Sequence, residues 1–462
     1  MKRLPVTPML VVAVAMRSVA ITMLCWLFQA VPARAEAARE VHIASDDDAL
    51  VLNGPWRFHV GDDTRWADPA FDDTGWETVD LTPSPGDHDP DVGLTRYVPG
   101  WQAKGHAGYF GYAWYRSRVS IDARRIPGKP LALCGPFYVD NAYQLYVDGR
   151  LLGGAGDFSS RPPTAYNNHL PRIYLLPPRS LLEEGSAVIA IRVWMGSWFA
   201  RSPDTGGIHI APVLGSERGV QSVYQTEWRQ IIRGYIVDAV EAALFLLLAA
   251  MAGTLIGLDR RNRATYLWVA AALILLALRR GNQPFFFWWQ LESLAGFELI
   301  TLVLLIPACV GAWTIAWRRW LGIRAGQGVL VGLTLLYMAA ECTRRSWFYG
   351  VLPPWASTVS RTCSMLVRLS FLIVTVWTVV RGVRRNPREG WLVAPAAVAM
   401  SVGLFADELS LAGVPGIWFP FGVGVSRTQY AYAAFDIAFA GLLFRQIHLT
   451  RHAISASRPP KC

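Results

Sequence analysis

The chain has 462 residues and only six cysteines, placed where they build no framework. Cys25 falls in a segment marked for removal, Cys134 is alone in the polar first half, and Cys309, Cys342 and Cys363 lie in apolar segments, where a small buried hydrophobe is the usual role. That distribution excludes a disulfide scaffold for the first half, which must be held by its core. A bridge between Cys342 and Cys363 would require two helix ends to meet. No pair has metal-ligand spacing, so no zinc site is read. Also missing are G-x-S-x-G, H-E-x-x-H, the P-loop and G-x-G-x-x-G, so the chain is read as a non-enzyme with no cofactor. It shows no internal repeat of the kind transporters often carry.

Acids are fewer than bases, 34 Asp and Glu against 44 Lys and Arg, for a net charge of +10. The basic residues of the second half sit as short Arg clusters between apolar runs, the pattern of cytoplasmic membrane loops, and nucleic acid is discounted as a partner. The chain is 53% hydrophobic and 17% charged. Its mean hydropathy of +0.27 is too apolar for an average soluble protein and too polar for a transporter throughout, so two unlike halves are implied.

The beginning carries an address. "MRSVAITMLCWLFQAVPARAEA" has a basic start, an apolar core over 19–28, and the small residues Ala33 and Ala35 where a signal peptidase reads, which predicts a signal peptide over 1–35. Its apolar core is too short to span a bilayer comfortably. Met16 followed by Arg17 offers a more conventional start.

From about residue 41 the text is all-β. "YAWYRSRVSI", "AYQLYVDGRLLG" and "AVIAIRVWMG" alternate apolar and polar residues and end in Gly or Asp turns, as antiparallel strands do. Asp148 and Gly149 suit a tight two-residue hairpin. Four phrases follow in order: "LNGPWRFHVGD", "FDDTGWETVDLTP", "WYRSRVSI" and "LYVDGRLLG". In wording and order they resemble the sugar-binding jelly-roll domain of glycoside hydrolase family 2 enzymes, over roughly 50–212. In that family the module is accessory and the catalytic carboxylates lie on a separate barrel, so the resemblance implies a jelly-roll fold and glycan recognition without hydrolysis.

Asp72 and Asp73 are adjacent, which suits turn capping better than paired-acid hydrolysis. Trp56, Trp76 and Trp114 read as core or corner residues. Ligand contacts are sought in the loops, in "YVPGWQAKGHAGYFGY", "GDFSSRPPTAYNNHLPR" and "GSWFARSPDTGG", which combine aromatic faces with polar tips. The candidates are Trp101, His106, Asn167, Asn168, His169, Trp198 and Arg201. The alternative is that these loops pack on the membrane half or on each other.

After the polar stretch 216–233, read as a linker, seven apolar segments follow, with cores near 237–258, 264–278, 295–317, 328–342, 357–380, 391–414 and 430–444. If the first starts outside, the inner loops hold Arg260, Arg261 and Arg263; Arg318, Arg319 and Arg324; Arg381, Arg384, Arg385 and Arg388; and Arg445, Arg451, Arg458 and Lys461. The outer loops hold only Arg279, Arg280, Arg344, Arg345 and Arg427, and that asymmetry follows the positive-inside rule. The outer loops are aromatic instead, with "PFFFWW", "WFYGVLPPW" and "IWFPF", which suit the interface or a seat for the sandwich.

An exported sandwich joined to seven helices resembles the bacterial seven-transmembrane receptors with diverse intracellular signalling modules. In that family a signalling domain usually follows the bundle; here only "RQIHLTRHAISASRPPKC" follows Phe444, which implies a separate cytoplasmic partner or a truncated or split gene. Charges inside helices are costly unless paired or functional. Arg368, Asp407, Glu408 and Asp436 are such charges, and a pair of Arg368 with Asp436 or Asp407 would be either a latch or a static packing contact. Asp238, Glu241, Glu298 and Glu341 lie nearer segment ends and are read as solvated or interfacial.

The sequence therefore predicts an all-β jelly-roll sandwich followed by an all-α seven-helix transmembrane bundle: signal peptide 1–35, exported domain 41–215, linker 216–233, seven-transmembrane domain 234–447 and a basic cytoplasmic tail 448–462. The leading function is a receptor of the bacterial cytoplasmic membrane that binds a carbohydrate or related ligand outside and signals to a cytoplasmic protein in trans, with the lipid bilayer as its other partner. The alternative is a transporter or membrane-bound enzyme of envelope glycan metabolism with a sugar-binding accessory domain. A third reading is an adaptor that docks another envelope protein.

Overall fold

The computed structural model describes residues 39–41, 48–89, 93–121, 131–166, 172–176, 186–197, 204–289, 291–346, 353–411 and 427–456. The signal-peptide expectation lies outside them.

Period-two alternation makes the first half strands. They are β1 (Ala49–Val51), β2 (Trp56–Val60), β3 (Glu77–Val79), β4 (Gly111–Ile121), β5 (Leu131–Cys134), β6 (Tyr138–Val139), β7 (Ala142–Val147), β8 (Arg150–Ala155), β9 (Ile173–Leu175), β10 (Ser186–Met195), β11 (Ile208–Ile210) and β12 (Val213–Ser216). The larger antiparallel sheet runs β3–β2–β4–β10–β7–β8, with Ile191 opposite both Tyr115 and Leu145. A smaller sheet runs β9–β5–β12–β1, and β11 pairs with β6. Phe58, Tyr115, Val119, Leu145, Ile189 and Ile191 from the larger sheet meet Leu133 and Leu214 from the smaller in one core. At the β7–β8 hairpin, Asp148 and Gly149 take positive φ of 48° and 79°, the backbone a two-residue turn needs.

The outer face of the larger sheet is covered by its own sequence. Trp114 and Arg116 alternate away from the core, and residues 62–76 fold over them, gathering Trp66, Phe71 and Trp76 into one cluster with Trp114, the Trp66 ring edge-on to it. The Arg116 Nε donates to Asp73 at 2.7 Å, and the rest of the guanidinium serves the carbonyls of Trp66 and Phe71. Asp72 instead accepts from the Thr74 amide and hydroxyl, at 3.1 and 2.7 Å. The adjacent acids thus have two separate structural tasks.

Strand β12 runs straight into the helical half. Ser216 ends the strand and caps helix α1 (Glu217–Leu258, 42 residues), its hydroxyl accepting from the Gly219 amide at 3.0 Å. The stretch 216–233, expected as a linker, is therefore the cap and more than four turns of that helix. Polar residues dominate its composition, but Val220, Val223, Tyr224, Trp228, Ile231 and Tyr235 recur at helical spacing and pack on Cys134, Phe137, Ile210 and Val213 of the sheet half.

Further helices are α2 (Arg263–Trp288), α3 (Leu294–Trp320), α4 (Gln327–Ser346), α5 (Pro354–Arg385), α6 (Pro387–Leu404), the short α7 (Ala406–Leu411) and α8 (Arg427–Ala456). Within α3, residues Leu299–Leu305 wind as a π-helix. Among the described residues, four stretches are long and apolar enough to cross a membrane: Glu217–Leu258, Arg260–Trp288, Leu294–Trp320 and Thr358–Arg385. Leu247, Leu335, Ile373, Ile437 and Phe444 are more than half exposed, while Trp313, Trp317, Phe435 and Phe439 fill the interior. An apolar outside fits a hydrocarbon solvent.

Two expectations are corrected here. Helix α2 continues ten residues past Leu278, and Arg280 is buried inside it instead of lying in an outer loop; Arg344 and Arg345 likewise lie within α4. Charge ended the apolar run in the sequence, but a buried guanidinium matched by acids continues a helix without difficulty. Cys342 is exposed and Cys363 half-buried.

The expected aromatic seat forms at the end of α2, as helix and not as loop. Phe287 stacks on Tyr235 of α1 at 4.0 Å and Phe286 on Phe297 at 4.3 Å, and both phenylalanines share a cluster with Phe137 and Ile210. Polar contacts border it: Arg96 pairs with Glu227, the Thr95 hydroxyl donates to Gln230 at 3.0 Å, and the Leu294 amide donates to the Ala165 carbonyl at 2.9 Å. Phe287→Ala will cost about 3–5 kcal/mol by opening a cavity at this seat. Thermal unfolding of the full chain in lipid nanodiscs will show a lower first transition, in which the sheet half separates from the helices.

Candidate functional site

The three candidate loops differ in what they present. In the first, Trp101 opens a short 3-10 turn (Trp101–Lys104) and is 1% exposed. Its indole lies against Phe58 and under Gly206 and Gly207, where a Cβ on Gly206 would stand 2.5 Å from the ring. Both ring faces are therefore occupied by the protein. His106 is more accessible: its Nε2 lies 3.0 Å from Glu77 on the surface, with the ring beside Phe58. Phe110, four residues on, is 52% exposed and offers the open aromatic face of this loop. Burial pushes the Lys104 amine down, and its Nζ donates to the Asp80 carbonyl at 2.9 Å.

The base of this loop is pinned to residues 204–209 by a buried pair. His209 places Nε2 2.9 Å from Asp140 and Nδ1 2.8 Å from the Val98 carbonyl. Asp140 also accepts from the Gly206 amide at 2.5 Å, and Tyr97 stacks on the imidazole at 4.7 Å. Burial pushes the Tyr97 phenol far above its usual value.

Asn167, Asn168 and His169 of the second loop, and Trp198 and Arg201 of the third, lie outside the described residues. The described start of the second loop meets the first at a surface cluster that sequence reasoning missed. Arg192 of β10 lies between the rings of Tyr112 and Phe158, at 4.7 and 5.2 Å. It grips Asp62 with two hydrogen bonds, 2.7 and 2.5 Å, and donates to Gln144 at 2.9 Å, while Tyr146 also donates to Gln144. Next to Phe158, the Ser159 side chain and amide hold the Asp157 carboxyl below its usual value. An arginine at an outward position of an alternating strand was the available signal. Aromatic edges, a guanidinium, a carboxylate and an amide gathered beside the larger sheet are groups that recognise hydroxyl-rich ligands.

In the helical half, Arg368 of α5 finds its partner in Glu408, with Nη2 at 2.6 Å and a second, shorter contact through Nε. It also donates to the Tyr337 hydroxyl at 3.1 Å and the Leu404 carbonyl at 3.3 Å, tying α4, α5, α6 and α7 together. The expected partners were Asp436 or Asp407. Phe405 leaves the helical conformation, at φ −113° and ψ 30°, and resets the phase between α6 and α7 so that Glu408 reaches Arg368. The Asp407 side chain lies outside the described residues, and Asp436 belongs to a second group.

That second group joins α1, α2 and α8. Arg280 pairs with Asp238 and, through Nε at 2.7 Å, with Glu241. Its guanidinium lies 5.3 Å from the Tyr432 ring, and Arg279 donates to the Tyr432 hydroxyl at 3.1 Å. Asp238 and Glu241, expected at solvated helix ends, are 4% and 3% exposed. Glu341 likewise accepts from both Arg344 and Arg345. Beside the π-helix, a cavity of about 290 Å³ is lined by Ala295, Gly296, Glu298, Leu299, Val303, Cys342 and Arg345.

No family model matches the chain, and no curated protein matches it. Among solved structures it is similar to a calcium-binding mutant of beta-glucuronidase 2 from Bacteroides uniformis, 21% identical over 36% of this chain and 18% of that one, with a TM-score of 0.24. It is similar to the beta-glucuronidase of Faecalibacterium prausnitzii, 17% identical over 36% and 31%, TM-score 0.23. It is also similar to that of Bifidobacterium dentium complexed with coumarin-3-O-glucuronide, 15% identical over 38% and 31%, TM-score 0.25. The chain thus spans less than a third of each enzyme, and likeness at that level assigns it neither fold nor activity.

Arg368→Gln and Glu408→Gln will each cost about 3–5 kcal/mol, because each leaves a buried charge alone, and the double variant will cost less than the sum. Thermal unfolding of the four proteins in nanodiscs measures that coupling.

Proposed function

We propose that the chain is a ligand-sensing receptor of the bacterial cytoplasmic membrane. Its sheet half is an exported jelly roll that binds a carbohydrate or related ligand, and seven helices with the C-terminus inside carry the change to a cytoplasmic signalling protein in trans. The four ordered phrases shared with family 2 sugar-binding domains support the ligand class. The excess of arginines in the inner loops supports the orientation.

The observation that carries this reading is the junction. A helix that starts on the sheet half and ends in the bundle, with an aromatic cluster shared between them, transmits a displacement that a flexible linker would absorb. A ligand acts through such a junction only by binding two states unequally. The contacts are assigned to the surface around His106, Phe110 and the Arg192 cluster, together with Asn167, Asn168, His169, Trp198 and Arg201. Trp101 supports that surface from beneath.

The test is thermal shift of the full chain in nanodiscs against a panel of mono- and oligosaccharides. A sugar that binds the folded state will stabilise it by about 2.7 kcal/mol at a hundred times its Kd, and Trp198→Ala or Arg192→Ala will remove the shift. No shift from any sugar, with the protein demonstrably folded, would overturn the glycan reading and leave the sheet half as a protein-docking module.

A further inference from the structure

We propose that the adjoining ends of α3 and α5 bind an anionic phospholipid, its phosphate held by Arg318 and Arg381 and its acyl chain laid along α5. Two of the apolar spans, Leu294–Trp320 and Thr358–Arg385, finish at this place. Gly382 lets them meet, since a Cβ there would stand 2.6 Å from Leu321. The contact brings the Arg381 and Arg318 guanidiniums to 4.9 and 5.5 Å from the centre of one ring, that of Trp377. The turn between α3 and α4 closes on the same group: Arg318 donates to the Ala325 carbonyl at 2.7 Å, and a Cβ on Gly322 would stand 4.0 Å from Arg385 Nη1.

The protein supplies little to neutralise these charges. Residues 318–327 and 381–390 hold seven arginines and one acid, Glu389, which is engaged with Arg445 and Gln446 at 3.1 Å each. Among the described residues, no carboxylate pairs with Arg318, Arg381, Arg384 or Arg385. An excess of arginine at one membrane face sets orientation without any two of them having to meet. Here two guanidiniums share one indole, whose π face attracts both but carries no net charge to balance them. A phosphodiester supplies that charge, and its oxygens match the guanidinium fork.

The surface beside the guanidiniums identifies the bearer of the phosphate. Ile373, Val376, Trp377, Val380, Arg381 and Arg384 recur at three- and four-residue spacing and are all exposed, so they form one outward ridge of α5. The deep part of that ridge is apolar and its end is basic. A free phosphate would use the end alone, whereas a phospholipid uses both parts, with its acyl chain on Ile373 and Val376. Trp377, 44% exposed, stands where the two parts join, at the level where an indole is favoured in a bilayer. On the orientation proposed above, the lipid belongs to the inner leaflet.

The test is native mass spectrometry of the full chain in detergent micelles, with phosphatidylglycerol or phosphatidylcholine of the same acyl chains added. The wild type will retain phosphatidylglycerol in preference to phosphatidylcholine. The double variant Arg318→Gln/Arg381→Gln will bind it roughly a hundredfold more weakly, about tenfold for each charged hydrogen-bond donor lost. Arg260→Gln/Arg261→Gln removes the same charge from two exposed positions between α1 and α2 and will leave binding unchanged. Should the first double variant not fold, Arg381→Gln alone, at an exposed position, decides by its own tenfold loss. No preference for phosphatidylglycerol, equal retention by the wild type and the Arg318 and Arg381 variants, or an equal loss in the Arg260 and Arg261 variant would each overturn the proposal. Displacement of the lipid by glycerol phosphate at equal concentration would also overturn it, in favour of a site for free phosphates.

Discussion

The rest of the structure depends on the absence of slack at Ser216. One residue ends a strand hydrogen-bonded into the smaller sheet and caps a 42-residue helix, so the register of that sheet fixes where the helix begins and which face it turns to the sheet half. Capping satisfies the first free amides of α1, and apolar residues at helical spacing then bury its first turns on the sheet. Any flexible element at this point would separate two bodies that now share an aromatic core. The end of α2 completes the arrangement, because Phe286 and Phe287 reach the same cluster from the second helix.

Below this seat the bundle is organised by charge as much as by packing. Its outward residues are apolar, and two of its polar groups are turned inward: Arg280 with Asp238 and Glu241 joins α1 and α2 beside Tyr432 of α8, while Arg368 with Glu408 and Tyr337 joins α4 to α7. Buried among apolar helices these groups have no aqueous alternative, so each guanidinium fixes which helices must be neighbours. Such pairs specify an arrangement more surely than they stabilise it, because desolvation offsets most of the attraction.

Much of the sheet half was legible from its residues. Alternation in "YAWYRSRVSI" marked a strand, whose Tyr115 and Val119 face the core, Asp148–Gly149 marked the hairpin, and adjacency argued that Asp72 and Asp73 were structural. Trp101 was harder to read, because the glycines that cover it lie about a hundred residues away in sequence. The linker reading of 216–233 followed composition where helical spacing was the better guide. Arg280 was assigned to a loop because hydropathy treats every charge as an end, and it cannot see a matching acid on another helix. Arg368 was singled out by its depth, but its partner depended on the break at Phe405, which no periodicity in the sequence announces.

The central claim is that the sheet half and the bundle are joined by one continuous helix. Amide hydrogen exchange of the full chain in nanodiscs tests it most directly, by comparing residues 217–233 with the deeper turns of α1. The account predicts slow exchange through 217–233, as in a packed helix, opening only when the seat itself opens. Exchange there as fast as in an unstructured linker, while the sheets and the deeper helix stay protected, would contradict it.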